Sequence, residues 1–193
     1  MDAGNTSVTR PRLFVFAGPN GSGKTTAKRG TPIVGTYVNA DDIRAETECS
    51  DLEAAQMAEG LREALLRARA DFTFETVLST NRNLDLIRRA KTAGYAITSV
   101  FMLTANVSVN VARVRARVAT GGHNVPEDKI RSRYQRSLAN LPVLINLSDT
   151  AIVIDNTSDN PAQIFAKDAF GRAIAPTSNW SEEQIRQLVD LKA

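Results

Sequence analysis

Residues 13–25, LFVFAGPNGSGKT, decide the fold. The apolar run 13–17 reads as a short buried strand. The eight residues that follow match the phosphate-cradling spacing G-x-x-x-x-G-K-[ST] at every position. The glycines let the backbone bend tightly and approach a ligand where a Cβ would clash. The amides of that bend, with the positive end of the helix that follows, make a concave anion site. Gly18, Pro19, Asn20, Gly21, Ser22, Gly23, Lys24, Thr25 and Thr26 are therefore expected to bind ATP. Lys24 places a cation against the outer phosphates, and the Thr25 hydroxyl is a hard oxygen ligand for Mg²⁺.

At 193 residues, with 42% hydrophobic and 23% charged residues, the chain suits one α/β domain with a real core. The net charge of +3 is unevenly placed, with Arg113, Arg115, Arg117, Arg131, Arg133 and Arg136 in one short segment. That concentration points to a locally bound anion rather than a surface that tracks nucleic acid. A single cysteine, Cys49, excludes an internal disulfide and a zinc cluster. No apolar stretch approaches the length of a membrane span, and the first residues do not read as a signal peptide. The expectation is a soluble, cytoplasmic protein.

Strands are predicted around 37–39, 71–77, 95–103 and 151–155, with helices over 51–70, 84–93, 107–119 and from Pro126 to about 140. The helix carrying Lys24 must be short, because Gly30-Thr31-Pro32 interrupts it. Residues 163–165 and 172–174 flank a Gly171 turn as a small hairpin, and Ser181-Glu182-Glu183-Gln184 matches a capping box that opens a final helix. Alternating strands and helices imply a five-stranded parallel sheet with helices on both faces. The domain then spans 1–193, with its core at about 12–156, a lid at about 113–140, and a C-terminal hairpin and helix at about 162–192. Ligands of such sheets gather beyond the carboxyl ends of the strands. The phosphate loop, 39–42 and 75–80 converge there.

Phosphoryl transfer needs a group to orient or deprotonate the acceptor and cations to hold the transferring phosphoryl. Asp41, after the second strand, is the candidate base; as an alternative, Asp41 or Asp42 caps a helix. Glu75 ends a strand expected to neighbour the phosphate-loop strand, where a carboxylate serves Mg²⁺ through water or holds a substrate hydroxyl. Thr76 and Thr80 follow it on the substrate side. Asp155 reads as a strand-end or turn residue. Two basic helices joined by Gly121-Gly122-His123-Asn124-Val125-Pro126 resemble a lid. Arg117 is its first catalytic candidate and Arg133 its second, with Arg131 and Arg136 as rivals; His123 touches substrate or packs the loop.

GPNGSGKTT (18–26), VNADDIR (38–44), FTFETVLST (72–80) and RVATGGHNVPEDKIRSRYQRSLANLP (117–142) together resemble the compact branch of the zeta toxin family. These are P-loop kinases, many described as UDP-N-acetylglucosamine kinases or as predicted ATPases. The resemblance implies a nucleotide-kinase-like fold with an arginine-rich helical lid. It makes Asp41 the acceptor-activating base, Lys24 the phosphate ligand, Glu75 part of the substrate-facing motif and Arg117 the first lid arginine. It also implies ATP and Mg²⁺ as cofactors, the 3′-hydroxyl of UDP-N-acetylglucosamine as acceptor, and an antitoxin partner. Larger members carry a second arginine within the lid loop; here Gly-Gly-His-Asn stands there, so Arg131 or Arg133 would take over.

Two alternatives stay open to this sequence. One is a kinase for another small-molecule or nucleic-acid-end hydroxyl, although no row of aromatics offers to stack bases. The other is a regulatory ATPase or nucleotide switch. The guanine-reading N-K-x-D and the L-S-G-G-Q signature of transport ATPases are both missing from the sequence.

Overall fold

The first strand, β1 (Arg12–Ala17), has apolar side chains on both of its faces, as a strand in the middle of a covered sheet requires. Leu13, Val15 and Ala17 join the main core on one side. Phe14 and Phe16 join Val100, Met102, Ile152 and Ile154 on the other. The computed structural model describes residues 9–25, 30–122 and 124–191. In it β1 pairs in parallel with β3 (Phe72–Thr76) and with β4 (Ala96–Leu103). β2 (Thr36–Val38) lies outside β3 and β5 (Thr150–Asp155) outside β4, again in parallel.

The five expected parallel strands are present, but the sheet does not stop there. β6 (Ala162–Lys167) and β7 (Arg172–Ile174) continue it in antiparallel fashion, giving seven strands in the order β2-β3-β1-β4-β5-β6-β7. The cause is the short connection after Asp155, which allows an antiparallel return and is too short for a parallel crossover. Ile164 and Phe165, both buried, supply the apolar face that holds β6 against the core.

Among the described residues six helices of about two turns or more accompany the sheet: α1 (Ala40–Thr47), α2 (Asp51–Arg67), α3 (Asn81–Thr92), α4 (Val107–Ala119), α5 (Glu127–Leu147) and α6 (Glu182–Leu188). Capping boxes open α2 at Ser50/Glu53 and α6 at Ser181/Gln184, the second as predicted. α2, α3, α5 and α6 all contribute to the main core, through residues such as Ala58, Ile87, Leu144 and Ile185. α4 meets the start of α5 through a separate cluster of Val111, Val114, Val125 and Ile130.

α5 continues to Leu147, beyond the expected end near 140, and passes through Pro142. A proline inside a helix costs about 3 kcal/mol. Leu141, Leu144 and Ile145 are all buried around it. Each such side chain contributes roughly 1.5–3 kcal/mol, so packing outweighs the lost hydrogen bond. Among the described residues no helix is long and apolar enough to cross a membrane.

Candidate active site

The phosphate loop leaves the carboxyl end of β1 and is held at three points. Gly18 N–H donates to Thr76 O (3.2 Å), Asn110 Nδ2 to Asn20 O (2.7 Å) and Asn156 Nδ2 to Ser22 O (2.8 Å). Asn110 is fully buried and takes a hydrogen bond from the Thr104 hydroxyl, while Thr104 O accepts from the Tyr134 hydroxyl (2.6 Å). A polar relay thus runs from α5 to the loop. Gly23 cannot be replaced cheaply: its φ is +92°, and a Cβ there would lie 2.1 Å from Asn156 Nδ2. Neither asparagine is signalled by a motif, since each is an ordinary helix or turn residue in sequence.

Lys24 Nζ donates to the Gly18 and Pro19 carbonyls at 2.8 and 3.0 Å. Burial lowers its pKa to about 8, with Glu75 and Asp41 pulling upward and Arg117 pushing down. Those three charges therefore face the lysine that the sequence singled out. Thr25 starts the helical turn with Lys24 and stays exposed. Thr26, also expected to bind the nucleotide, lies outside the described residues.

Asp41 stands in the first turn of α1, but the cap is Asn39, whose side chain accepts from Asp41 N–H at 3.1 Å. The alternative reading of Asp41 or Asp42 as the capping residue is thereby corrected. Glu75 lies opposite Phe16 in the β1–β3 register. Its carboxylate accepts a hydrogen bond from the Tyr37 hydroxyl. Burial, then that hydrogen bond and the charge behind it, push the Tyr37 phenol far above its usual range, so it remains a donor. Tyr37 was legible only as a strand residue.

The turn after β3 is strained and braced. Leu78 has φ +60°, a conformation that costs a side-chain-bearing residue about 1–2 kcal/mol. It is buried, its N–H donates to Thr76 Oγ1 (2.9 Å), and its carbonyl accepts from Asn140 Nδ2 (2.9 Å). Ser137 Oγ of the same helix donates to Val77 O (2.7 Å). These bonds set Ser79 and Thr80 at the cavity wall.

Lys24, Thr25, Asp41, Glu75, Thr76, Thr80, Arg117 and Arg133 border one cavity of about 700 Å³. Arg113 and Arg136 reach it too, and Arg113 also donates to Asn156 O (2.7 Å). Arg131 does not: it is exposed and forks onto Glu127 at 2.7–2.9 Å, and Arg115 pairs with the same carboxylate. It drops out as a rival of Arg133. Of the Gly-Gly pair, Gly122 is closely packed, whereas Gly121 faces open space at φ +86°. Gly122 N–H donates to Arg117 O (2.9 Å), and a Cβ on Gly122 would lie 2.5 Å from Arg117 Cγ. His123 lies outside the described residues. Asp155 is buried and binds Thr157 and Asn179, the turn role expected of it. Arg62 of α2, which the sequence did not mark, also lines the cavity.

The family model described as Zeta toxin matches residues 2–166. The chain belongs to the Zeta toxin family. An uncharacterized protein of Haemophilus influenzae is 29% identical over 133 residues, 66% of this chain and 95% of that protein. A chain of the Pnkp1/Rnl/Hen1 RNA repair complex superposes with a TM-score of 0.55 at 25% identity. That match covers 72% of this Zeta toxin family member, which spans about half (47%) of the repair-complex chain. The AvrRxo1-ORF1:AvrRxo1-ORF2 complex with ATP gives 0.69 at 16% identity, covering 94% of this chain and 64% of that one. The PezAT toxin–antitoxin system of Streptococcus pneumoniae gives 0.60 at 15%, covering 98% and 87%. The last two establish likeness of fold. Family and phosphate loop together support a nucleotide-binding phosphotransferase of the Zeta toxin type.

Proposed function

We propose that the protein is a Mg²⁺- and ATP-dependent kinase that transfers the γ-phosphoryl group to a nucleotide-sugar hydroxyl, the 3′-OH of UDP-N-acetylglucosamine. The observation that carries this reading is the single cavity shared by the phosphate loop, Asp41, Glu75 and the arginines of α4 and α5. A pure hydrolase has no need of an acceptor-side carboxylate in that position.

In this mechanism the loop amides and Lys24 hold the β- and γ-phosphates. Asp41 accepts the proton of the acceptor hydroxyl as its oxygen bonds to the γ-phosphorus. The bond from that phosphorus to the β-bridging oxygen breaks, and ADP carries away the electron pair. Arg117 and Arg133 neutralise the charge on the transferring group. Glu75, held by Tyr37, orients the acceptor or acts on it through water; Thr76, Thr80 and His123 would line its site. The donor set fits Mg²⁺, which takes one or two protein oxygens, here Thr25 Oγ1 and Glu75 through water, with the rest from phosphates. When bound, the ion would neutralise phosphate charge. AvrRxo1-ORF1:-ORF2 has been seen with ATP, and PezAT is a toxin–antitoxin pair. The first supports ATP as donor and the second a protein antitoxin as partner; a cytoplasmic location is part of the same proposal.

A second acceptor class, a nucleic-acid-end hydroxyl, is favoured by the 25% identity to a chain of an RNA repair complex. Incubation with ATP, Mg²⁺, a panel of nucleotide sugars and an RNA with a free 5′-hydroxyl, followed by product mass, separates the two. Gain of one phosphoryl group on UDP-N-acetylglucosamine supports the first. Gain on the RNA alone replaces it with the second. ADP formation that no acceptor stimulates overturns the kinase reading.

A further inference from the structure

Arg62 is 8% exposed. Arginine is rarely buried to that degree without a carboxylate partner. Among the described residues its guanidinium makes no hydrogen bond and no ion pair; it lies over the Phe74 ring, 5.3 Å from the centroid. The nearby carboxylates on the same helix are already engaged, Glu59 with Arg82 (2.8 Å) and Glu63 with Arg89. Burial disfavours the charged form of Arg62, against the pull of those two glutamates. A desolvated cation that lies over an aromatic ring at the wall of a polar cavity gains most from an anion that enters the cavity.

A second feature lies on the same wall. α3 opens at Thr80, which makes no side-chain cap bond, and its first turn contains no acidic residue. Thr80, Asn83 and Arg62 border the same cavity as Asp41. The amides at the start of this 12-residue helix are thus neither capped by a side chain nor charge-balanced by the protein.

We propose that Arg62 and the uncapped start of α3 form an anion subsite that grips a phosphate or diphosphate group on the acceptor. The assignment of that anion to the acceptor rests on the kinase reading above. The subsite lies on the β3 side of the cavity, where Phe74 supports it, whereas the donor's phosphates belong to the loop leaving β1. The acceptor is then a phosphorylated or diphosphate-bearing small molecule. Neutral sugars, lacking the handle, bind poorly.

The test is calorimetric titration of UDP, inorganic phosphate and uridine into full-length protein whose donor site is filled with a non-hydrolysable ATP analogue and Mg²⁺. Arg62→Met keeps the apolar stem over Phe74 and removes the charge; Arg62→Lys keeps the charge and loses the fork. Arg62→Met is expected to weaken UDP binding by roughly tenfold or more, and Arg62→Lys by less, since a point charge replaces a planar fork. Uridine binding is unchanged in both. Arg88→Gln, an exposed change on α3, leaves all three titrations as in the wild type. Equal UDP affinity in the wild type and both Arg62 variants overturns the subsite. So does a wild type that binds neither UDP nor inorganic phosphate. Arg62-dependent UDP binding in a protein that phosphorylates no nucleotide sugar supports the subsite while removing the proposed acceptor. In turnover, the subsite predicts a raised acceptor KM with kcat much less affected.

Discussion

Nucleotide affinity is expected to fall as pH rises through 8, because Lys24 loses its proton there. The direction follows from the surroundings. The lysine is desolvated against the Gly18 and Pro19 carbonyls, which is not enough to hold its charge at the usual value. A triphosphate brings anions into contact and raises the pKa again, so the complex prefers the protonated form. Affinity is then full well below pH 8 and weakens progressively above it. With a free-state pKa of about 8, roughly nine in ten lysines are charged at pH 7 and one in ten at pH 9, so the dissociation constant rises about tenfold across that interval. The nucleotide's own phosphates, with a second pKa near 6, are ionised throughout. Calorimetry in buffers of differing ionisation enthalpy reads the proton directly: about half a proton taken up at pH 8 and most of one at pH 9. Two variants move the midpoint in opposite senses. Glu75→Gln removes the largest upward pull and shifts it below 8, whereas Arg117→Ala removes a repulsion and shifts it above. Lys24→Arg abolishes the pH dependence. An affinity that stays flat from pH 7 to 9, or uptake that persists in Lys24→Arg, refutes the reasoning.

Asp41→Asn is expected to leave nucleotide binding near the wild-type value and to lower kcat by about 10²–10⁴, the range for a lost general base; an unchanged turnover number would remove Asp41 from the mechanism. Asn156→Ala strips the Ser22 carbonyl of its partner at a cost of about 1–3 kcal/mol, seen as a melting temperature lower by about 2–4 °C per kcal/mol and as weaker nucleotide binding. Gly23→Ala loses nucleotide binding, and adding Asn156→Ala fails to restore it, because φ +92° remains wrong for alanine even when the clash is gone; a rescued double variant would show that the clash alone matters. Asn140→Ala releases the strained Leu78 turn, raising acceptor KM while donor affinity holds, as a two-substrate kinetic analysis would report.

The donor half of the site was legible because a phosphate loop is local: a strand, a glycine-rich bend and a lysine adjoin one another in sequence. The parallel sheet followed from apolar runs alternating with helical periodicity, and Asp41, Glu75 and Arg117 from their places after strands and at a helix end. The β6–β7 hairpin was legible as a hairpin, but its joining the parallel sheet through β5 and the length of α5 were not, since each depends on tertiary contacts that no local turn or proline signal reports. The loop braces Asn110 and Asn156 act across 90 and 134 residues of sequence, a separation at which no spacing rule operates. Choosing Arg133 over Arg131 needed the position of Glu127, which occupies the latter. Arg62 looked like any charged residue on an amphipathic helix until its burial was known.

α5 has an awkward inheritance. Its early turns present Arg133 and Arg136 to the cavity, its middle turns hold the Val77 and Leu78 carbonyls, and its last turns are sealed in the core by Leu141, Leu144 and Ile145. One rigid rod therefore serves as arginine carrier, brace and keystone. A part so employed cannot swing freely as a cover, so any opening motion is left to α4 and the connection between the two helices. It also cannot be refined for one duty alone. Repacking the core around Pro142 would re-aim the arginines, and re-aiming the arginines would disturb the core. In selection or in engineering, thermal robustness and phosphoryl transfer are expected to drift together along this helix.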